Sequence, residues 1–206
     1  MKIIQCRGAD RRAVAEAAAA LRDGKIIIYP TDTLYALGCD ALNARAVERL
    51  CRIKGINPEK NILSVVCADI SQAADYVRID NRAFRVIKEY LPGPYTFILP
   101  AATRLPKVFR NRKSVGIRIP DNDFARALSE ELGNPVMSSS VHFSDNDAES
   151  ADIADASAIA EKYDGVTDIV LAIDGGEGSS VPSTIVDLTE SDAPTVVRQG
   201  AGEFVY

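Results

Sequence analysis

The chain has 206 residues, a formal net charge of −5, and 47% hydrophobic and 26% charged residues. That balance is ordinary for a globular protein and excludes disordered and collagen-like classes. No apolar run reaches the roughly 18 residues that a membrane span needs, and MKIIQCRGADRR shows no apolar signal region, so a cytoplasmic protein is expected. The four cysteines, Cys6, Cys39, Cys51 and Cys67, form no CxxC pair, and the chain has one histidine. A structural zinc site is therefore not expected, and reduced thiols are. The charge is lopsided. Residues 1–143 hold 22 basic and 15 acidic residues, and residues 144–206 hold 2 basic and 14 acidic residues. An anionic partner would meet the first segment, and the acids of the second are expected away from any groove that binds it.

In chain order, Lys2–Gln5 reads as a short strand. Asp10 is an N-cap before an alanine-rich helix that Gly24 stops. KIIIYP is a buried central strand, and TDTLYALGCDA after it has no helical period and reads as a loop. Asn43 caps a helix through AVERLCRIK, and ILSVVC is a strand. Helices over Asp69–Tyr76 and Asn81–Leu91 follow, and Pro92-Gly93-Pro94 ends the second. YTFILP and Ser114–Pro120 are strands. Asp121 or Asn122 caps the helix DFARALSEEL, which Gly133 ends. PVMSSS is a strand, Val141–Ser150 a polar loop and Asp155–Tyr163 a short helix. Asp168–Asp174, STIVDL and TVVRQ are strands, with the loop GGEGSS between the first two. About eight strands interleave with six helices, and no linker divides them. The expected fold is a single α/β domain over residues 1–206 with a mixed parallel and antiparallel sheet flanked by helices. Strand and helix stop alternating over residues 168–198, which argues against a pure doubly wound sheet.

Three constellations can carry chemistry. Pro30–Gly38 follows a buried strand and gathers Thr31, Asp32, Thr33 and Tyr35. It is either a ligand loop at a strand end or a turn whose side chains bond the local backbone. Lys54, with Lys60 and Asn61 beyond it, can hold polyphosphate or simply complement a helix C-terminus. Thr103–Arg118 carries Arg104, Lys107, Arg110, Arg112, Lys113 and Arg118 without an acid, which fits an anion-facing surface or a solvated one. GGEGSS lacks the lysine of a Walker loop, and no Ser/His/Asp triad can be built around His142.

YPTDTLYALG, CRIKGI, PGPYTFILP, SVGIRIPD, PVMSSS, IDGG, STIVDL and VVRQGAG follow one another from Tyr29 to Gly202, within a match that spans about residue 10 to residue 202. In this order they resemble the YrdC/YciO family of threonylcarbamoyl-AMP synthases, and the YciO branch in particular. The resemblance implies a twisted YrdC-like domain with a basic concave groove. It implies synthesis of L-threonylcarbamoyl-AMP from L-threonine, bicarbonate and ATP, with Mg²⁺ accompanying the nucleotide, for modification of a tRNA adenosine. It assigns threonine binding to Thr33, Arg118, Ser138 and Ser183. It assigns ATP binding to Lys54, Lys60, Asn61, Ser114, Ser140 and Arg198, with Thr31, Tyr35 and His142 as further candidates. No covalent nucleophile and no protein metal ligand is implied, and a monomer is expected. The sequence departs from the synthase pattern at Ile56, where the family has arginine, and at His142, where it has asparagine. These departures open the alternative of a YciO-type paralogue with attenuated synthesis that binds double-stranded RNA or tRNA.

Overall fold

The computed structural model describes residues 1–57, 63–102, 113–141, 154–190 and 192–206. Among the described residues ten strands form one sheet: β1 (Lys2–Gln5), β2 (Ile26–Tyr29), β3 (Ala36–Asp40), β4 (Ser64–Val66), β5 (Tyr95–Pro100), β6 (Ser114–Arg118), β7 (Val136–Ser140), β8 (Ile169–Asp174), β9 (Thr184–Asp187) and β10 (Thr195–Arg198). Their order is β1-β8-β2-β3-β7-β4-β6-β5-β9-β10. β8 pairs in parallel with β1 and β2, β4 with β6, and β5 with β9; the remaining neighbours are antiparallel. The expected mixed sheet is present.

Six described helices flank it: α1 (Arg11–Arg22), α2 (Ala44–Ile53), α3 (Ile70–Ala74), α4 (Asn81–Tyr90), α5 (Asp123–Leu132) and α6 (Ala156–Lys162). Asp10 caps α1 by accepting from the amides of Arg12 and Ala13, and Asn43 caps α2 through Ala46. Of the two candidates for α5, Asn122 is the cap, accepting from Ala125; the Asp121 amide is engaged elsewhere, by Asp32. Gly133 ends α5 at φ +75°, a conformation that glycine adopts without steric cost.

Alternation along the strands sorts side chains onto two faces. On β2, Ile26 and Ile28 enter one core, with α2, α4 and α6. Ile27 and Tyr29 enter the other, with Leu21 of α1 and Phe124 and Leu128 of α5. β6 obeys the same rule: Val115 and Ile117 join the first core, which turns Ser114, Gly116 and Arg118 to the second face.

The loop expected over residues 31–41 is a correction. Ala36–Asp40 is a central strand, paired with β2 and β7. Alanine, glycine and aspartate have low strand propensity, but packing overrides it here. A Cβ on Gly38 would lie 2.7 Å from the Tyr29 ring and 2.9 Å from Val136. The strand must be small because Tyr29 lies across it.

Candidate functional site

α1 and α5 cover only part of the second face. Beyond them, β7, β4, β6 and β5 present Ser138, Ser64, Gly116 and Thr96, each alternating with a residue of the first core such as Met137, Val65, Val115 or Phe97. This floor of hydroxyls underlies a cavity of about 210 Å³. Gly116 keeps the floor flat, since a Cβ there would come within 2.6 Å of Ser64 Oγ.

Two guanidinium groups line the cavity, Arg118 from β6 and Arg198 from β10. Arg118 Nη2 donates to Asp32 Oδ1 at 2.8 Å and to Thr33 Oγ1 at 2.9 Å. The other Asp32 oxygen accepts from the Asp121 amide at 3.0 Å. Arg118 is only 9% exposed, and its buried Nε–H has no acceptor among the described residues. Charge-assisted bonds of this kind orient a guanidinium for a planar anion. Arg198 Nη2 donates to the Ser183 carbonyl at 2.8 Å. Burial, and then the nearby Arg118 charge, pull the Arg198 guanidinium below its ordinary value. Two cations that repel across one cavity favour an anion between them. Among the described residues, no acidic side chain lines the cavity.

Hydroxyl groups complete it. Thr96 Oγ1 and Ser183 Oγ are 2.9 Å apart, and Tyr29 Oη donates to Ser138 Oγ at 2.8 Å. Thus Thr33, Arg118, Ser138, Ser140, Ser183 and Arg198, scattered over 165 positions of sequence, surround one space. From the acidic segment, Ser183 and Arg198 reach it while the described acids of that segment stay off its lining.

Other expected residues lie elsewhere. Thr31 Oγ1 donates to the Leu34 carbonyl and accepts from the Thr33 amide, so it shapes the turn and stays off the cavity lining. Tyr35 also stays off the cavity lining. Its Oη donates to the Gly176 carbonyl at 2.6 Å and accepts from the Gly175 amide at 3.0 Å, which latches the 174–178 loop to β3. Lys54 is the C-cap of α2, and Ser114 opens β6; neither lines the cavity. Ile56, two residues after Lys54, does line it. Lys60, Asn61 and His142, with Arg104, Lys107, Arg110 and Arg112, lie outside the described residues. Asp32 is the main residue that sequence reasoning left without a role. Its signal was a carboxylate between two threonines at the end of a buried strand. Ser64 and Thr96 were also missed, although each faces the same side as Arg118 by strand alternation.

Two arginines over a hydroxyl floor, in a mixed-sheet α/β domain, make a cavity whose chemistry suits a small carboxylate or phosphate. The family model for Sua5, YciO and YrdC proteins, described as telomere recombination, matches residues 19–200, and the chain belongs to that family. YciO of Escherichia coli is 37% identical over 195 residues, covering 94% of this chain and 91% of YciO. Its crystal structure superposes with a TM-score of 0.84, covering 98% of this chain and 96% of that one. The threonylcarbamoyl-AMP synthase of Chromobacterium violaceum is 38% identical over 171 residues, 82% of this chain and 84% of the synthase. Pyrococcus abyssi Sua5, solved with L-threonine, has a TM-score of 0.84 at 32% identity, covering 97% of this chain and 58% of Sua5. Among the described residues, no helix is long and apolar enough to cross a membrane.

Proposed function

We propose that this chain condenses L-threonine, bicarbonate and ATP into L-threonylcarbamoyl-AMP, releasing pyrophosphate and water, and that the product serves threonylcarbamoyl modification of a tRNA adenosine. The observation that carries this reading is Arg118, held by Asp32 and Thr33 on the wall of a hydroxyl-floored cavity. The threonine carboxylate pairs with the Arg118 guanidinium, and Thr33, Ser138 and Ser183 offer hydroxyls around it. ATP lies toward Ser140 and Arg198, with Lys54, Lys60, Asn61 and Ser114 as the further nucleotide contacts inferred from sequence. The described lining has hydroxyls and no carboxylate, so Mg²⁺ enters as part of the Mg·ATP substrate, on phosphate oxygens. The threonine amine attacks the carbon supplied by bicarbonate; a C–N bond forms, one C–O bond of bicarbonate breaks, and that oxygen leaves as water with a proton from the amine. The resulting carbamate oxygen attacks the α-phosphorus, and pyrophosphate leaves. The protein's part is positioning and neutralisation of the charge that develops, for which no covalent nucleophile is required.

Incubation of the protein with threonine, bicarbonate and Mg·ATP should give threonylcarbamoyl-AMP and pyrophosphate only when threonine is present. No product at millimolar substrates from folded protein overturns the reading. One observation favours a second reading, a paralogue with attenuated synthesis that binds duplex RNA or tRNA. Ile56 puts an apolar side chain on the cavity wall, at the position where the resemblance implies an arginine. Under that reading Ile56→Arg raises turnover, and RNA affinity falls steeply with salt.

A further inference from the structure

On the sheet face opposite the cavity, residues 199–206 run as a strap across β5 and β9. Its grip centres on Thr184, a fully buried polar residue of β9. Thr184 Oγ1 accepts from the Gly200 amide at 2.9 Å and donates to the Gly202 carbonyl at 2.5 Å. Its own amide donates to the Pro94 carbonyl at 2.9 Å, and the Ala201 amide donates to the Pro182 carbonyl at 2.8 Å. The strap therefore clasps the chain on both sides of Ser183. Its fit is close. A Cβ on Gly200 would lie 2.2 Å from the Pro182 carbonyl oxygen, and one on Gly202 would lie 2.3 Å from Tyr95 Cζ. Further along, Tyr95 Oη donates to the Glu203 carbonyl at 2.7 Å, and Tyr90 Oη donates to the Val205 carbonyl at 2.5 Å. Phe204 packs on the Tyr90 ring at a centroid distance of 4.8 Å.

The clasped corner is also where two cavity groups are set. The Ser183 hydroxyl meets Thr96 on the cavity side, and the Ser183 carbonyl is the acceptor that holds Arg198. Arg198 itself is joined to the strap through Gln199, whose side-chain amide donates to the Gly202 carbonyl at 2.7 Å. The strap and the cavity thus share one short stretch of backbone, Pro182–Thr184, seen from its two faces.

We propose that Thr184 is a positioning residue for the reaction: by tying the 199–206 strap to the 182–184 corner, it sets Ser183 and Arg198 in the cavity without touching substrate. This rests on the synthase reading above. Thr184→Val keeps the shape of the side chain and removes the hydroxyl. It should raise the KM for ATP by about tenfold, the upper end of what one buried hydrogen-bonding group contributes. The kcat should change less than about twofold, because Arg118, Asp32 and Thr33 lie outside the strap's reach. Thr184→Ser restores the hydroxyl and should return KM to within about twofold of the parent. Tyr95→Phe removes only the bond to Glu203 and should raise KM by about two- to threefold, and it keeps the proposal testable if Thr184→Val does not fold. Calorimetric titration of the same proteins with threonine and with Mg·ATP accompanies the kinetics. A parent that binds neither ligand overturns the synthase reading and this inference with it. A parent that binds both, beside folded variants of unchanged affinity and KM but lowered melting temperature, overturns the positioning role alone.

Discussion

One cross-strand row on the second face runs from core to cavity. Val136 of β7 pairs with Val66 of β4, and Val66 pairs with Arg118 of β6. The two valines lie in the core under α1 and α5, while Arg118 lines the open cavity. The pleat and the face are the same; only the residue types change. Where the strands offer valine, leucine and isoleucine, a helix covers them because apolar area leaves water. Where they offer serine, threonine, glycine and arginine, no helix can cover them without stranding polar groups, and the surface stays available to a ligand. The site is the polar continuation of the core, and both halves hang on one sheet.

The comparison breaks most visibly at Arg118. Arg118→Ala leaves the Asp32 carboxylate buried without its countercharge. Breaking a buried pair of this kind costs about 3–5 kcal/mol, and threonine binding should be lost as well. Thermal unfolding and threonine titration on one preparation check both. Leu128→Ala in α5, under the covered half, should cost about 2–5 kcal/mol through the cavity it leaves. At temperatures where that variant is folded, its threonine affinity should match the parent's. Equal loss of affinity in the two variants would mean that the halves are not separable.

The same contrast explains what could be read without coordinates. Helix caps, the apolar strands and the mixed sheet were legible because each rests on local chemistry: Asp10, Asn43 and Gly133 do what their types favour. β3 was not, because Ala36–Asp40 is small for a reason that lies on another strand. The ring of Tyr29 crosses it, and only the absence of a side chain on Gly38 lets that ring pass. For the site, the ordered motifs named Thr33, Arg118, Ser138, Ser140, Ser183 and Arg198, and the fold brings these six to the lining of one cavity. They gave no role to Asp32, which meets a partner 86 positions away, and no sign that the Tyr35 hydroxyl would bond residues 175 and 176. Partnership across a sheet is the part that spacing along a chain does not encode.

Tyr29 is where the two halves meet, and it offers the gentlest way to probe their seam. Its ring is fully buried in the covered core, and its hydroxyl donates to Ser138 on the cavity floor. Burial pushes the phenol up to about 12 from 10, against a smaller lowering by the Ser138 bond. In the unfolded chain the phenol ionises near pH 10, while the native state keeps it protonated until about pH 12. Stability from this group is therefore whole below pH 10 and is lost as pH rises from 10 to 12, by roughly 2–3 kcal/mol in total. Tyr29→Phe should remove that part of the alkaline loss, and at neutral pH it should cost only about 0.5–1.5 kcal/mol for the missing bond to Ser138. Denaturant melts of parent and variant at pH 8 and pH 11 measure the difference. If the two proteins lose the same stability over that interval, the hydroxyl is not held in the buried, neutral state that joins core to cavity.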